Sequence, residues 1–170
     1  MSDAAAGQLR DLVPGWLGQS LDSRVDSRLR ELHTLVADEI RQRRPVCLAS
    51  GRCCSFADHG HDLMVTGLEA AWCWRTLASA PTRAAVVSGQ TAGACALLQD
   101  GLCSAGAARP VACRVYFCDR SAADWMSHLA EDCHQQIRRL HEEVSAEYRY
   151  ARWIDLLRAF STGAAIPNRS

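Results

Sequence analysis

The 24 residues from Cys95 to Cys118 read CALLQDGLCSAGAARPVACRVYFC and hold four of the nine cysteines. Cys47, Cys53 and Cys54 form a second cluster upstream. This is far more thiol than core packing needs, so the fold has to bring irregular cysteine loops to places where sulfur is stabilised. Metal binding is the first chemistry to which that points.

Disulfides are the weaker reading. The count of nine is odd, and the Cα atoms of Cys53 and Cys54 are neighbours about 3.8 Å apart, below the usual disulfide range. The start of the chain, MSDAAAGQLRDLVPGWL, has neither a basic leader nor a continuous apolar run, and no later stretch is long enough to span a bilayer. A soluble, cytoplasmic protein without membrane association is expected. In that compartment thiols stay reduced, which again favours metal or redox chemistry.

Arg+Lys and Asp+Glu balance at 19 each, so no electrostatic footprint for nucleic acid is present and no nucleic-acid partner is expected. Every basic residue is arginine, which excludes a Schiff-base lysine and a P-loop lysine. With 170 residues and 48% hydrophobic composition, the chain suits one domain burying about 70% of its unfolded surface.

Along the chain, Pro14-Gly15 and Gly18 read as a turn, and residues 1–19 are expected to form a flexible arm pinned by Trp16. From Ser20, taken as an N-cap, Leu21, Val25, Leu29, Leu32, Val36 and Ile40 recur at helical spacing. Arg41, Arg43 and Arg44 suit that helix's C-terminus. His33 on the same helix is read as an ordinary surface or satisfied histidine. Gly51, between Cys47 and the vicinal pair, permits the tight backbone path of a metal-thiolate loop. His59 and His61 in DHGHD are read as solvated, with completion of a thiolate site as the alternative.

Thr66 to Glu69 is a capping-box signature opening a helix with Ala70, Cys73, Trp74, Leu77 and Ala78 on one face. Cys73 there is a small buried hydrophobe. A short helix is expected from Pro81, ended by Gly89. Asp100-Gly101 predicts a hairpin turn that folds Cys95 and Cys103 toward one point, and a break is expected between Cys113 and Cys118. After Ser121, taken as a cap, Met126, Leu129, Ala130, Cys133, Ile137, Leu140 and Val144 form a long amphipathic stripe, which gives Cys133 a core role. His134 and His141 on its flank are read as packing, with metal contact as the alternative. YRYARWIDLLRAF predicts a terminal helix, and residues 163–170 a flexible tail. The expected fold is mainly α: a single metal-stabilised domain over residues 20–162 with irregular cysteine-rich loops between helices and a helical C-terminal part.

Cys47, the Cys53-Cys54 pair, the helix opening from Thr66 to Glu69, Cys95, Asp100-Gly101-Leu102-Cys103 and Arg109-Pro110 to Cys113-Arg114 together resemble the YkgJ-like cysteine-cluster family of zinc- or iron-chelating domains. The resemblance covers roughly the middle of the chain, and its specific part is the vicinal pair followed by RPxxCR. It implies a metal-chelating function. Flagellin lysine methylases with a similar cluster and an iron–sulfur centre supply an enzyme alternative. The five residues after Cys47 exceed the spacing common in the family, which makes Cys47 the outlying ligand.

With Cys73 and Cys133 assigned to the core, the candidate ligands are Cys47, Cys53, Cys54, Cys95, Cys103, Cys113 and Cys118. Seven thiols exceed the four used by one structural zinc or one cubane cluster, so iron, as an iron–sulfur cluster or another iron site, is preferred to zinc. Arg109 and Arg114 would hold backbone carbonyls or offset thiolate charge. The first function expected is a metal-chelating protein whose partner is the metal ion, with another protein as the second candidate partner. The alternatives are a cluster-dependent enzyme modifying another protein, methylase-like or redox, for which His134, His141 and Glu142 are the scattered candidates, and a thiol redox sensor.

Overall fold

The computed structural model describes residues 3–48, 50–77, 86 and 94–163. The short helix expected from Pro81 lies outside these apart from Val86, which is helical and buried; the tail after Gly163 lies outside them altogether. The chain is mainly helical, with two small two-stranded sheets.

Where a flexible arm was expected, Asp3–Gln19 forms helix α1. Leu9, Val13, Trp16 and Leu17 fall on one helical face and are 6%, 0%, 1% and 3% exposed. Pro14 removes the bond to the Arg10 carbonyl, a cost of about 3 kcal/mol in a helix interior. Fully burying side chains of this kind contributes about 1.5–3 kcal/mol each, which is why packing overrides the local turn signal. Ser20 closes this helix instead of capping the next: its N–H reaches the Trp16 carbonyl at 2.8 Å and its hydroxyl donates to the Leu17 carbonyl at 2.8 Å.

Helix α2 (Ser23–Arg43) is capped by Asp22, whose carboxylate accepts from the Arg24 N–H at 2.8 Å. It buries Val25, Leu29, Leu32, His33 and Val36, and Arg44 ends it with a left-handed φ of 49°. The 3-10 turn Arg52–Cys54 and the one-turn helix α3 (Phe56–His59) follow. Strand β1 (Met64–Thr66) runs into α4 (Gly67–Thr76), where the Thr66 hydroxyl accepts from the Glu69 N–H at 3.3 Å as the capping box requires.

Strands β2 (Leu98–Gln99) and β3 (Leu102–Cys103) pair as the expected hairpin, with Asp100 and Gly101 both at positive φ (49° and 78°) in the manner of a type I′ turn. Helix α5 (Val111–Arg114) stops well before Cys118, so the break is present. Asp119, not Ser121, makes the next cap: its carboxylate accepts from the Ser121 N–H at 3.0 Å at the turn that leads into α6 (Ala123–Glu143). Leu129, Cys133, Ile137 and Leu140 of α6 are buried, as its stripe predicts.

The last segment is only partly helical. Tyr150–Arg152 is strand β4, paired antiparallel with β1 in the register Met64–Arg152, Val65–Ala151 and Thr66–Tyr150, and α7 begins at Trp153 and runs to Gly163. Helices α1, α4 and α7 pack on one another, while α2 lies against α5 and α6. The buried side chains form one hydrophobic cluster running from Leu9 to Phe160.

Candidate metal centre

Gly51, at φ 70°, opens the 3-10 turn that carries the vicinal cysteines. A Cβ there would lie 3.2 Å from the Gly101 carbonyl oxygen and 3.3 Å from Leu98 Cδ1, so the glycine lets this turn sit against the β2–β3 hairpin. The Cys95 N–H donates to the Cys54 carbonyl at 2.8 Å and fastens the hairpin's base to the same turn. Two segments 40 residues apart are thereby brought together at their cysteines.

Cys54 stands at the middle of the resulting thiol group. Its Sγ is 4.0 Å from that of Cys53. The neighbouring sulfurs of Cys103, Cys53 and Cys95, and then burial, push its pKa up. The Cys54 thiol beside them is in turn the main cause of lowered pKa values around it: Cys53 falls to about 7, Cys103 to about 6, and Cys95 also falls. The backbone amides of Leu97 and Ala105, each two residues ahead of its cysteine, act in the same direction on Cys95 and Cys103. Donors aimed at sulfur favour the thiolate. Arg109 adds a positive charge felt by Cys53 and Cys103.

The arginines also brace the loop, as expected of them. Arg109 Nε donates to the Gly106 carbonyl at 3.2 Å; Arg114 donates to the carbonyls of Arg109 at 2.8 Å and Ala107 at 2.6 Å. Cys113, on α5 beside this loop, is pushed up by burial and then by the charges of Cys95 and Cys103. It borders the group without sharing its hydrogen bonds.

Cys47 and Cys118 lie apart. Cys47 is exposed, and Cys118 Sγ contacts the Ser50 hydroxyl at 3.8 Å. The Val46 N–H donates to Asp119 at 3.3 Å, which draws these two loops alongside each other. Among the described residues neither thiol shares a hydrogen bond with another cysteine.

The histidines take other roles. His59 is exposed, and His61 is stacked on Tyr116 at 4.8 Å with Phe56 edge-on. His134 Nε2 is 2.8 Å from the Tyr148 hydroxyl and its ring stacks on Tyr150 at 4.2 Å. His141 is buried, and burial pushes its pKa down. Cys133 is buried in the core and pushed up to about 12 by that burial.

Four thiols, three of them with lowered pKa values, are donors of the kind a soft or borderline cation takes. The Cys53–Cys54 separation of 4.0 Å is near the edge of a tetrahedron of sulfurs around one ion, about 3.8 Å for metal–sulfur distances of about 2.3 Å, but no three of the four sulfurs lie within 4.8 Å of one another, so the group stands wider than a closed tetrathiolate site.

A second group was not legible in the sequence. Among the described residues, the three potential ligand atoms found within 4.8 Å of one another belong to buried His33, Glu69 and Cys73. His33 is 8% exposed, where a surface or satisfied ring was expected, and its Nε2 is buried with no hydrogen-bond partner. Two sequence signals were present: Glu69 and Cys73 are four apart on α4, and His33 adjoins Leu32 in the apolar stripe of α2. Comparison of the chain with protein-family models, curated proteins and solved structures finds no match.

Proposed function

We propose that this protein binds a metal ion through Cys53, Cys54, Cys95 and Cys103, with Cys113 bordering the site. The observation that supports this reading is the convergence of two distant segments at their cysteines: the Cys95 N–H is bonded to the Cys54 carbonyl at 2.8 Å, and Cys54 Sγ stands 4.0 Å from Cys53 Sγ. A cation that draws these thiols in as thiolates would release protons on binding. The resemblance of the cysteine pattern to the YkgJ-like family supports the same function. Zinc or iron suits the donors, iron as a single ion or in an iron–sulfur cluster. We place the protein in the cytoplasm, where thiols remain reduced.

Cys47 and Cys118 are outside this centre. Measured metal affinity of Cys54→Ser and Cys103→Ser protein is expected to fall by at least about 100-fold, beyond the 10–100-fold typical for losing a residue that only supports a ligand. Cys47→Ser and Cys118→Ser should bind metal as the unmutated chain does. Equal loss in all four variants, or none in any, contradicts the assignment.

A further inference from the structure

The His33, Glu69 and Cys73 side chains meet between α2 and α4 and share no residue with the thiol cluster. Trp72 holds the His33 ring edge-on, with centroids 4.8 Å apart at 87°. His33 Nε2 lies 4.0 Å from Glu69 Oε1, and the two side chains are only 9% and 4% exposed. That gap exceeds a hydrogen bond by about 1 Å, so neither atom satisfies the other. Glu69 Oε1 is fixed in place by the Val111 N–H at 2.7 Å. The acid therefore does not close the capping box on its own helix; it ties α4 to the helix that carries Cys113. Cys73 is fully buried, and burial followed by the Glu69 charge keeps its thiol protonated.

A buried polar atom without a partner costs about 1–3 kcal/mol, and a buried carboxylate needs compensating charge. One cation would answer both needs. Metal–nitrogen and metal–oxygen distances of about 2.0–2.2 Å and metal–sulfur of about 2.3 Å place tetrahedral ligand atoms about 3.3–3.7 Å apart; here His33 and Glu69 stand 4.0 Å apart and all three atoms lie within 4.8 Å of one another, so the ligands close in on the ion as it binds. The donors are one imidazole, one carboxylate and one thiol, a mixed set of borderline softness.

We propose that His33, Glu69 and Cys73 form a second metal site, for a single first-row divalent cation of the zinc class, separate from the thiol cluster. Binding displaces the Cys73 proton to solvent and leaves the thiolate as ligand. Because the site is buried, the ion is taken up as the chain folds.

The test uses full-length protein produced in medium supplemented with ¹¹³Cd²⁺ and ¹⁵N-histidine and studied by ¹¹³Cd NMR. A mixed-donor resonance coupled to one histidine nitrogen is expected, apart from any thiolate-rich resonance. It should lose its coupled partner in His33→Gln, disappear in Cys73→Ala with loss of one cadmium per chain, and survive in Cys54→Ser. Absence of any histidine-coupled cadmium in the unmutated protein overturns the site, whether or not the variants fold, and is the result if a water bridges His33 and Glu69 instead. A coupled resonance that persists in Cys73→Ala overturns it equally. Failure of the thiol centre shows separately, as a missing thiolate-rich resonance.

Discussion

Gly67 makes room for the ring of Trp16: a Cβ at this position would stand 2.2 Å from Cε2 and 2.3 Å from Cζ2. The ring is held in place: its Nε1 donates to the Glu147 carbonyl at 2.7 Å, and it packs against Phe160 with centroids 6.3 Å apart. The helix backbone cannot retreat either, since the Gly67 N–H is bonded to the Arg149 carbonyl at 2.9 Å. Gly67→Ala is expected to destabilise the protein by about 1–3 kcal/mol through overpacking. Urea unfolding checks this as a lowered midpoint at unchanged m value. Trp16 was legible as an anchor, but the glycine that receives it, 51 residues on, was not; a sequence shows which residue wants burial and not what it will meet.

Elements were legible where local rules act alone. The hairpin followed from Asp100-Gly101 because both central residues of a type I′ turn need positive φ, and the α2 and α6 stripes followed from their spacing. α1 was lost to Pro14 and two glycines, although Leu9, Val13 and Trp16 already lay on one face. β4 could not be seen because it exists only through pairing with β1, 86 residues away. The capping box was half right: Thr66 caps α4, while the Glu69 carboxylate goes to Val111. The hairpin gives the sharpest prediction at this scale. Nothing lies within 4 Å of a Cβ placed on Gly101, so Gly101→Ala tests backbone strain alone. Left-handed φ at a residue with a Cβ costs about 1–2 kcal/mol, and thermal unfolding should register that loss. Metal affinity should fall with it, because the turn sets the distance between Cys95 and Cys103.

At the scale of the whole chain, labour is divided. α1, α4 and α7 build much of the apolar core, while the thiols sit in loops laid against it, where a hairpin and a 3-10 turn from distant segments converge on Cys54. Among the described residues no helix is long and apolar enough to cross a membrane. Cysteine content alone pointed to sulfur chemistry, but not to which thiols lie near one another; convergence on Cys54 depends on the Cys95 N–H to Cys54 carbonyl bond and on Gly51 fitting beneath the hairpin, both long-range. Cys53, Cys54, Cys95 and Cys103 are the proposed metal ligands. The direct measurement is metal analysis of untagged, anaerobically purified protein combined with mass-spectrometric mapping of alkylated thiols before and after a chelator. Bound zinc or iron, with those four cysteines shielded until the chelator is added and Cys47 reactive throughout, is the predicted result. Metal-free protein in which Cys53 and Cys103 react as fast after zinc or iron is supplied as before would contradict it.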